Sequence, residues 1–524
     1  LTGTGATDGF SGATVAITGG FSNINALIGS GENGDSLTGL NNGQWSVIGA
    51  QNQYASGGRS LTFSGFEILN GGAGVDIFTF ADGAVLNGRI DGRGGVDALN
   101  FAAYTNPRSI TLIGVGATDG FNGAEAAITD GFSNINALIG SGEIGDVFNG
   151  LNSGQWTVAG GVVTYNNGNS LALTGIETLT GGAGNDVVTF TTASDVALTA
   201  TGALGGFNLT VSAFAGEFHN IDSLIGSAQN DSFTGLNAPA NFDLQPASVE
   251  YTSSGESLTI SVFETITGGT GVDEIIFGVA ADVTLTGIGA LGGFDLTQAS
   301  YTGEFHNIDA LTGKALTTNS FTGLNASATF NLQAAIVEYA SSGSLLNFSG
   351  FDILNGGTGT DIFAFANSAI IAGELNGGLG VDLLDYSAYT TSVTIDLAAG
   401  TATGTNGIGG IENITGGQTG DILTGNAGKN IIAGNSGDDT LSGGAGDDEY
   451  IFAAGWGVDT IVEIAGGGAD TLDFIALTTG LTFTLNGLKV TDGLGNQLNH
   501  AGDFIETLLG GSGADTFALS DGFI

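Results

Sequence analysis

The chain has 524 residues, and its 52 acidic side chains outnumber 7 lysines and arginines, which gives a formal net charge of −45. So few cations cannot follow a phosphate backbone or an anionic bilayer, which excludes nucleic acid and membrane surfaces as partners. The absence of cysteine excludes disulfides, zinc–thiolate sites and thiol chemistry. Hydrophobic residues make up 41 % of the chain, too many for a protein kept disordered by its charge. No apolar run is long enough to insert into a membrane as a helix.

Internal repeats organise most of the chain. The segment FSNINALIGSGENGD at 21–35 returns almost unchanged at 132–146, and in altered form at 218–231 and 305–319. A repeat of this size cannot bury its apolar face alone, so neighbouring repeats must stack into a continuous core. The repeats predict six segments: module 1 with an insert (1–112), module 2 (113–198), module 3 (199–285), module 4 (286–376), a glycine–aspartate segment (377–465) and a C-terminal β segment (466–524).

Each module alternates short apolar segments with turns rich in Gly, Asn and Asp. The segment FEILNGGAGVDIFTF at 66–80 places apolar residues on both sides of a glycine loop, and 176–190, 263–277 and 351–365 repeat this arrangement. Helical periodicity is not sustained anywhere. Strands of three to five residues with turns at regular spacing predict an all-β fold, a parallel β-solenoid built from repeated modules.

Several polar residues recur with the modules. An asparagine position at a coil corner, bonded to the backbone, is predicted for Asn23, Asn134, Asn220 and Asn307. His219 and His306 invite a metal or catalytic interpretation, but serines fill the same position in modules 1 and 2, so we expect polar turn residues. Trp45 and Trp156 are expected to serve packing, in the core or on the surface.

The pattern G-G-x-G-x-D occurs seven times, far more often than composition predicts. Its aspartates are Asp76, Asp186, Asp273, Asp361, Asp382, Asp448 and Asp515. The densest stretch, 416–451, consists of four consecutive nonapeptides whose sixth positions are Asp421, Asn430, Asp439 and Asp448.

This spacing suits a hard cation. Glycines allow turns with positive φ that expose carbonyl oxygens, and the aspartate adds an anionic oxygen beside them. Ca²⁺ takes six to eight oxygen ligands, which two stacked loops can supply and one loop cannot. With two nonapeptides in each coil, loops 18 residues apart lie on one side, which pairs Asp421 with Asp439 and Asn430 with Asp448.

The nonapeptide G-G-x-G-x-D-x-U-x resembles the RTX, or haemolysin-type calcium-binding, repeat proteins. The resemblance implies a right-handed parallel β-roll, Ca²⁺ between coils, and export from a bacterium to a calcium-rich exterior. The stretch 377–424 also resembles connectors of large bacterial surface proteins with such repeats. Two departures stand out: Thr419 replaces a glycine, and Lys429 with Asn430 puts the site shared with Asp448 in doubt, because the Lys429 ammonium is an alternative occupant.

A second set of aspartates ends the first loop of three modules: Asp35, Asp146 and Asp231. They lie 41, 40 and 42 residues before the motif aspartates of the same modules. We therefore predict that the two loops of each module stack on one side of the solenoid and share an ion. Module 4 should differ, because Asn319 replaces the aspartate and Lys314 enters the loop.

The acids recur with the modules, whereas an enzyme usually has a constellation that occurs once, and the sequence has no G-x-S-x-G elbow or histidine cluster. We expect no enzyme. The first hypothesis is a non-catalytic extracellular structural protein, a surface-layer, fibre or adhesin rod stiffened by Ca²⁺ that assembles with itself. The alternatives are a calcium-dependent secretion and folding module of a larger RTX exoenzyme or toxin, and an adhesin that holds a cell-surface glycan with Trp, Tyr and Asn on the solenoid face.

Overall fold

The computed structural model describes residues 1–464, 466–485, 487–500 and 505–518. Every regular element in these ranges is a strand, which confirms the prediction of an all-β fold. None of the described residues forms a helix long and apolar enough to cross a membrane. The chain divides into two compact units: unit 1 comprises residues 1–240 and 247–267, and unit 2 comprises residues 241–246 and 268–524.

The strands before residue 268 are two to eight residues long. They are β1 (Gly3–Thr4), β2 (Phe10–Thr14), β3 (Ile17–Ile24), β4 (Ala26–Ile28), β5 (Ser36–Thr38), β6 (Gln44–Val47), β7 (Asn52–Ser56), β8 (Arg59–Ser64), β9 (Ile68–Asn70), β10 (Ile77–Phe80), β11 (Arg89–Asp91), β12 (Ala98–Asn100), β13 (Ser109–Val115), β14 (Phe121–Glu125), β15 (Ile128–Ile135), β16 (Ala137–Ile139), β17 (Val147–Asn149), β18 (Gln155–Ala159), β19 (Val162–Asn167), β20 (Asn169–Thr174), β21 (Thr178–Thr180), β22 (Val187–Phe190), β23 (Asp195–Thr201), β24 (Phe207–Val211), β25 (Phe214–Ile221), β26 (Ser223–Ile225), β27 (Ser232–Thr234), β28 (Ala240–Leu244), β29 (Val249–Ser253), β30 (Glu256–Ser261) and β31 (Thr265–Thr267).

The strands after residue 268 are of similar length. They are β32 (Asp273–Phe277), β33 (Asp282–Ile288), β34 (Phe294–Gln298), β35 (Glu304–Ile308), β36 (Ala310–Thr312), β37 (Ser320–Thr322), β38 (Ala328–Leu332), β39 (Val337–Ser341), β40 (Ser344–Ser349), β41 (Ile353–Gly357), β42 (Asp361–Phe365), β43 (Glu374–Gly378), β44 (Leu383–Asp385), β45 (Thr394–Asp396), β46 (Thr401–Ala402), β47 (Gly407–Gly409), β48 (Asn413–Thr415), β49 (Ile422–Thr424), β50 (Ile431–Ala433), β51 (Thr440–Ser442), β52 (Glu449–Ile451), β53 (Val458–Ile461), β54 (Asp470–Asp473), β55 (Thr482–Thr484), β56 (Lys489–Thr491), β57 (Gln497–His500), β58 (Ile505–Leu509) and β59 (Thr516–Ala518).

Short strands stack in parallel on their counterparts one coil later. In unit 1, Leu37 of β5 faces Leu69 of β9, and Phe78 of β10 faces Leu99 of β12. All four side chains are buried, because successive residues of a strand point to opposite faces and the middle residue points into the core. In unit 2 the tandem nonapeptides stack in the same way, β49 on β51 and β50 on β52.

Antiparallel hairpins interrupt the parallel stacking of modules 1–4. In module 2, β13, β14 and β15 form such a sheet, and Asn134 bends β15 with a φ of 54°. Its side-chain oxygen accepts a hydrogen bond from the Thr118 amide at 3.0 Å. Asn23, Asn220 and Asn307 have a similar φ and also accept a backbone N–H, which confirms the predicted bond to the backbone. The four asparagines lie at bends within strands β3, β15, β25 and β35, not at corners between strands.

Aromatic residues fill the interior beside the glycine loops. Trp45 packs against Tyr54, with ring centroids 4.5 Å apart, and stacks on Phe78. The Tyr54 hydroxyl accepts a hydrogen bond from the Leu40 amide at 2.6 Å. Since Trp45, Trp156 and Trp456 are at most 1 % exposed, none of them offers a surface on which a sugar could stack.

Candidate metal centres

The motif aspartates lie at the first position of a core strand or one residue before it, and they form rows from coil to coil. In each row the backbone N–H of one aspartate donates a hydrogen bond to a carboxylate oxygen of the next coil. The rows join Asp76 to Asp97, Asp186 to Asp222, Asp273 to Asp309, Asp361 to Asp382, Asp421 to Asp439, Asp439 to Asp459 and Asp448 to Asp470, with N···O distances of 2.8–3.0 Å.

The predicted pairing of the tandem loops is confirmed. The Asp421 amide lies 2.8 Å from Asp439 Oδ1, and the Asn430 amide lies 2.7 Å from Asp448 Oδ1. Both pairs are separated by 18 residues. Two nonapeptides therefore make one coil in this stretch.

The predicted stacking of Asp35, Asp146 and Asp231 on the motif aspartates of their modules is wrong. Their amides instead donate to Glu67, Glu177 and Glu264, 32, 31 and 33 residues later, at 2.8–3.0 Å. The inserted hairpins lengthen each coil to this size. An aspartate 40–42 residues away consequently precedes a strand of a different sheet: Asp35 precedes β5, which pairs with β9, whereas Asp76 precedes β10, which pairs with β12.

The same three aspartates form what we call serine-closed loops. A serine of the loop donates its amide and its hydroxyl to the aspartate Oδ2: Ser30 to Asp35, Ser141 to Asp146 and Ser227 to Asp231, at 2.5–3.0 Å. The other oxygen of Asp231 accepts the Ser194 amide at 2.7 Å, and that of Asp146 accepts the Arg108 amide. Donors from the protein thus satisfy the Oδ2 atom of each of these three carboxylates.

Five motif aspartates form what we call open loops: Asp186, Asp361, Asp382, Asp439 and Asp448. Each carboxylate accepts a backbone N–H from the preceding coil through Oδ1, at 2.5–2.8 Å. Each Oδ2 is buried and has no hydrogen-bond partner. Because buried polar atoms are nearly always hydrogen-bonded, five such oxygens at equivalent positions call for a common explanation.

Carbonyl oxygens lie near the unpartnered carboxylate oxygen in three of the open loops, those of Asp186, Asp361 and Asp382. A Cβ added to Gly356 would lie 2.5 Å from Asp361 Oδ2 and 2.4 Å from the Gly377 carbonyl oxygen. At Gly377 the corresponding neighbours are Asp382 Oδ2, at 2.5 Å, and the Gly410 carbonyl oxygen, at 2.0 Å. Acceptors that face each other are stabilised by a cation, and hard carboxylate and carbonyl oxygens are the ligands of Ca²⁺. These three loops therefore offer ligands that fit calcium.

Three of the other predicted aspartates, Asp76, Asp421 and Asp515, accept hydrogen bonds from backbone amides. Backbone amides serve both oxygens of Asp76, from Gly43 and Gly72, and both oxygens of Asp421, from Val393 and Gly417. Asp515 is only half-buried and accepts the Leu481 amide at 2.9 Å. Asp273 is buried and faces Asp309 in its row.

Burial makes the aspartates of the open loops weaker acids than usual. It raises the pKa of Asp439 to about 7, and the carboxylates of Asp421 and Asp438 add to the effect. Burial likewise raises the pKa of Asp186, Asp361 and Asp448 to about 6. A divalent cation beside these carboxylates would favour their charged form.

Several row members have no complete glycine motif, and the sequence analysis missed them. They are Asp97, Asp222, Asp309, Asp459 and Asp470. Burial raises the pKa of Asp97 to about 7 and that of Asp459 to about 8. The signal that could have found them is an aspartate two residues before a buried apolar residue, as in Asp-Ala-Leu at 97–99.

In two loops an asparagine stands at the aspartate position, and its amide nitrogen donates a hydrogen bond to a nearby carbonyl oxygen. Asn319 Nδ2 donates to the Gly350 carbonyl at 2.7 Å, and Asn430 Nδ2 donates to the Glu412 carbonyl at 2.7 Å. The Lys314 ammonium donates to the Gly278 carbonyl at 2.5 Å, so the first loop of module 4 differs from its counterparts, as predicted. The expectation for Lys429 is wrong: its side chain is exposed and lies 3.7 Å from Glu449.

The two candidate histidines lie on strands β25 and β35, not in turns as predicted. His219 Nε2 is 3.1 Å from Glu217 Oε2, and His306 Nδ1 is 3.1 Å from Asp295 Oδ1. Both side chains are partly exposed. They pair with surface carboxylates.

Comparison with protein families finds the RTX calcium-binding nonapeptide repeat in four copies, at residues 172–189, 409–450 and 500–522. The chain carries RTX repeats, which confirms the resemblance seen in the sequence. The matches contain five of the predicted residues: Asp186, Asp421, Asp439, Asp448 and Asp515. No curated protein matches the chain.

Proposed function

We propose that this protein is a non-catalytic extracellular structural protein of a bacterial surface. Its repeats fold around Ca²⁺ into a parallel β-solenoid that forms a surface layer, fibre or adhesin rod and assembles with itself. The observation that carries the proposal is the set of open loops, whose buried Oδ2 atoms have no donor in the protein. Right-handed coiling is favoured because parallel strands of one sheet are almost always joined by right-handed connections.

Calcium supply would decide where such a protein folds. With a net charge of −45, the chain resists compaction where Ca²⁺ is scarce, which keeps it in a form suited to export. Outside the cell each ion offsets two charges and binds only the folded form. At a hundredfold excess over Kd, one site adds about 2.7 kcal/mol to the free energy of unfolding.

The test is a Ca²⁺ titration of chelated protein, followed by circular dichroism, sedimentation and negative-stain imaging. The proposal predicts a calcium-dependent gain of β structure that ends in fibres or lattices. Equal β content in chelator would contradict the calcium role. Folding with calcium into a stable monomer would contradict self-assembly and favour a secretion and folding module of a larger exoenzyme or toxin.

A further inference from the structure

Glu463, which lies outside the nonapeptide repeats, is buried in unit 2 beside the loop at 443–448, the last loop of the four tandem nonapeptides at 416–451 and called the last repeat loop below. It follows β53, and only 8 % of its surface is exposed. Its Oε1 accepts hydrogen bonds from the Tyr450 hydroxyl and from the Gly443 amide, the latter at 3.3 Å. Gly443 is the first residue of the loop that ends at Asp448. Two donors from the last repeat thus fix this carboxylate against the loop.

Three buried carboxylates meet at this point: Asp448, Glu463 and Asp470. Each offers an oxygen, and these oxygens all lie within 4.8 Å of one another. The Asp448 amide donates to Asp470 Oδ1 at 2.9 Å, which keeps the two aspartates in one row. Asp448 Oδ2 and Glu463 Oε2 are both buried without a hydrogen-bond partner.

No protein cation balances this charge within the described part of unit 2. Its three lysines are Lys314, Lys429 and Lys489, and it contains no arginine. Lys314 donates to a backbone carbonyl, and Lys429 lies beside the partly exposed Glu449. None of the ion pairs in these ranges involves the three carboxylates. Burying several carboxylates without a counter-charge is strongly unfavourable, so the cluster requires a cation or protons.

We propose that Asp448, Glu463 and Asp470 bind one divalent cation, Ca²⁺ by the hardness of its ligands, at the junction between the tandem nonapeptides at 416–451 and the coil that follows them. The repeat motif supplies only Asp448, whereas Glu463 and Asp470 come from the following coil. The ion ties β53 and β54 to the last repeat loop. The inference deepens the proposed calcium dependence and rests on the protein taking up calcium from solution.

The test compares Glu463→Gln with the wild-type chain. Glu449→Gln is the matched control, because it removes the same charge from the surface of the last repeat. Equilibrium dialysis and calorimetry should count one Ca²⁺ fewer for Glu463→Gln and the wild-type number for Glu449→Gln. In chelator, Glu463→Gln should melt at the wild-type temperature or above, since it removes a buried charge. With Ca²⁺ it should melt below the wild type.

The change in melting temperature caused by Glu463→Gln thus depends on calcium if Glu463 is a metal ligand, and does not if it is only a hydrogen-bonding residue. If Glu463 shares only a proton with its neighbours, Glu463→Gln will bind the wild-type number of ions and change the melting temperature equally in both conditions, which overturns the inference. If the wild-type chain binds no Ca²⁺ at all, that result contradicts the proposed function as well as this inference, whereas a loss of no ion by Glu463→Gln contradicts the inference alone. Asp470→Asn must also lose one ion, so the test does not depend on how one variant folds.

Discussion

The serine-closed loops and the open loops both place an aspartate at the start of a core strand, but the hydrogen-bond donors around its carboxylate differ. In the serine-closed loop of module 2, Ser141 supplies two donors to Asp146 Oδ2. In the open loop at Asp439, the equivalent oxygen is buried without a partner. The comparison teaches that aspartates in similar glycine turns differ in the donors around their second oxygen, and the proposed assignment of calcium to the open loops rests on this difference.

The largest difference between the two loop types should come from pH. Burial raises the folded-state pKa of Asp186 to about 6 and that of Asp439 to about 7, above the usual value near 3.8. The calcium-free folded protein therefore binds more protons than the unfolded chain between about pH 4 and pH 7. Its free energy of unfolding should fall as the pH rises, by up to about 1.4 kcal/mol per pH unit for each such aspartate.

With saturating Ca²⁺ the dependence should reverse, because protons then compete with the ion for the same oxygens. Urea unfolding from pH 4.5 to pH 8, with and without calcium, measures both slopes. A calcium-free protein that becomes more stable as the pH rises through this window would contradict the assignment of the open loops.

The second largest effect is expected from replacing one aspartate by asparagine, which should distinguish the open loops from the serine-closed loops by the calcium dependence of the free energy of unfolding. Asp439→Asn keeps an oxygen for the Asp421 amide but removes the anionic ligand. With Ca²⁺ at a hundredfold excess over Kd, losing one ion should lower the free energy of unfolding by about 2.7 kcal/mol. In chelator we expect no loss of stability.

The matched variant is Asp146→Asn, in a serine-closed loop. Its new amide would face the Ser141 donors, so we expect a loss that is the same with and without calcium. Denaturant titration of both variants in both conditions completes the comparison. A calcium-dependent loss for Asp146→Asn, with none for Asp439→Asn, would reverse the assignment.

Asn319→Asp should destabilise the first loop of module 4, because it replaces an amide donor by an anionic carboxylate. Asn319 Nδ2 donates to the carbonyls of Lys314 and Gly350, and a carboxylate would leave these acceptors facing an anion. We expect a cost of about 1–3 kcal/mol in chelator. Thermal unfolding measures it, and unchanged stability would show that the asparagine nitrogen does not close this loop.

The smallest effect is expected from removing one hydroxyl. Ser141→Ala deletes a donor to Asp146 and should cost about 1 kcal/mol, equally in calcium and in chelator. Ser170→Ala, at an exposed position of β20, is the control and should change little. A Ser141→Ala variant that gains calcium-dependent stability would mean that the hydroxyl stands in for an ion.

The sequence predicted the geometry best where repeats are tandem and uninterrupted. The sixth positions at 421 and 439 pair as expected because nothing is inserted between their nonapeptides. The partner of Asp35 was missed because the length of the β6–β8 hairpin, and hence of the coil, is not encoded in a short motif. Glu463 was missed because nothing in its local sequence marks it; only the folded chain brings it to Asp448.

The most direct test of the central claim is anomalous diffraction from crystals grown with Ca²⁺ or Tb³⁺. We predict anomalous peaks beside the open-loop aspartates, among them Asp361, Asp439 and Asp448, and none beside Asp35, Asp146 or Asp231. Peaks at the serine-closed loops, with none at the open loops, would contradict the account.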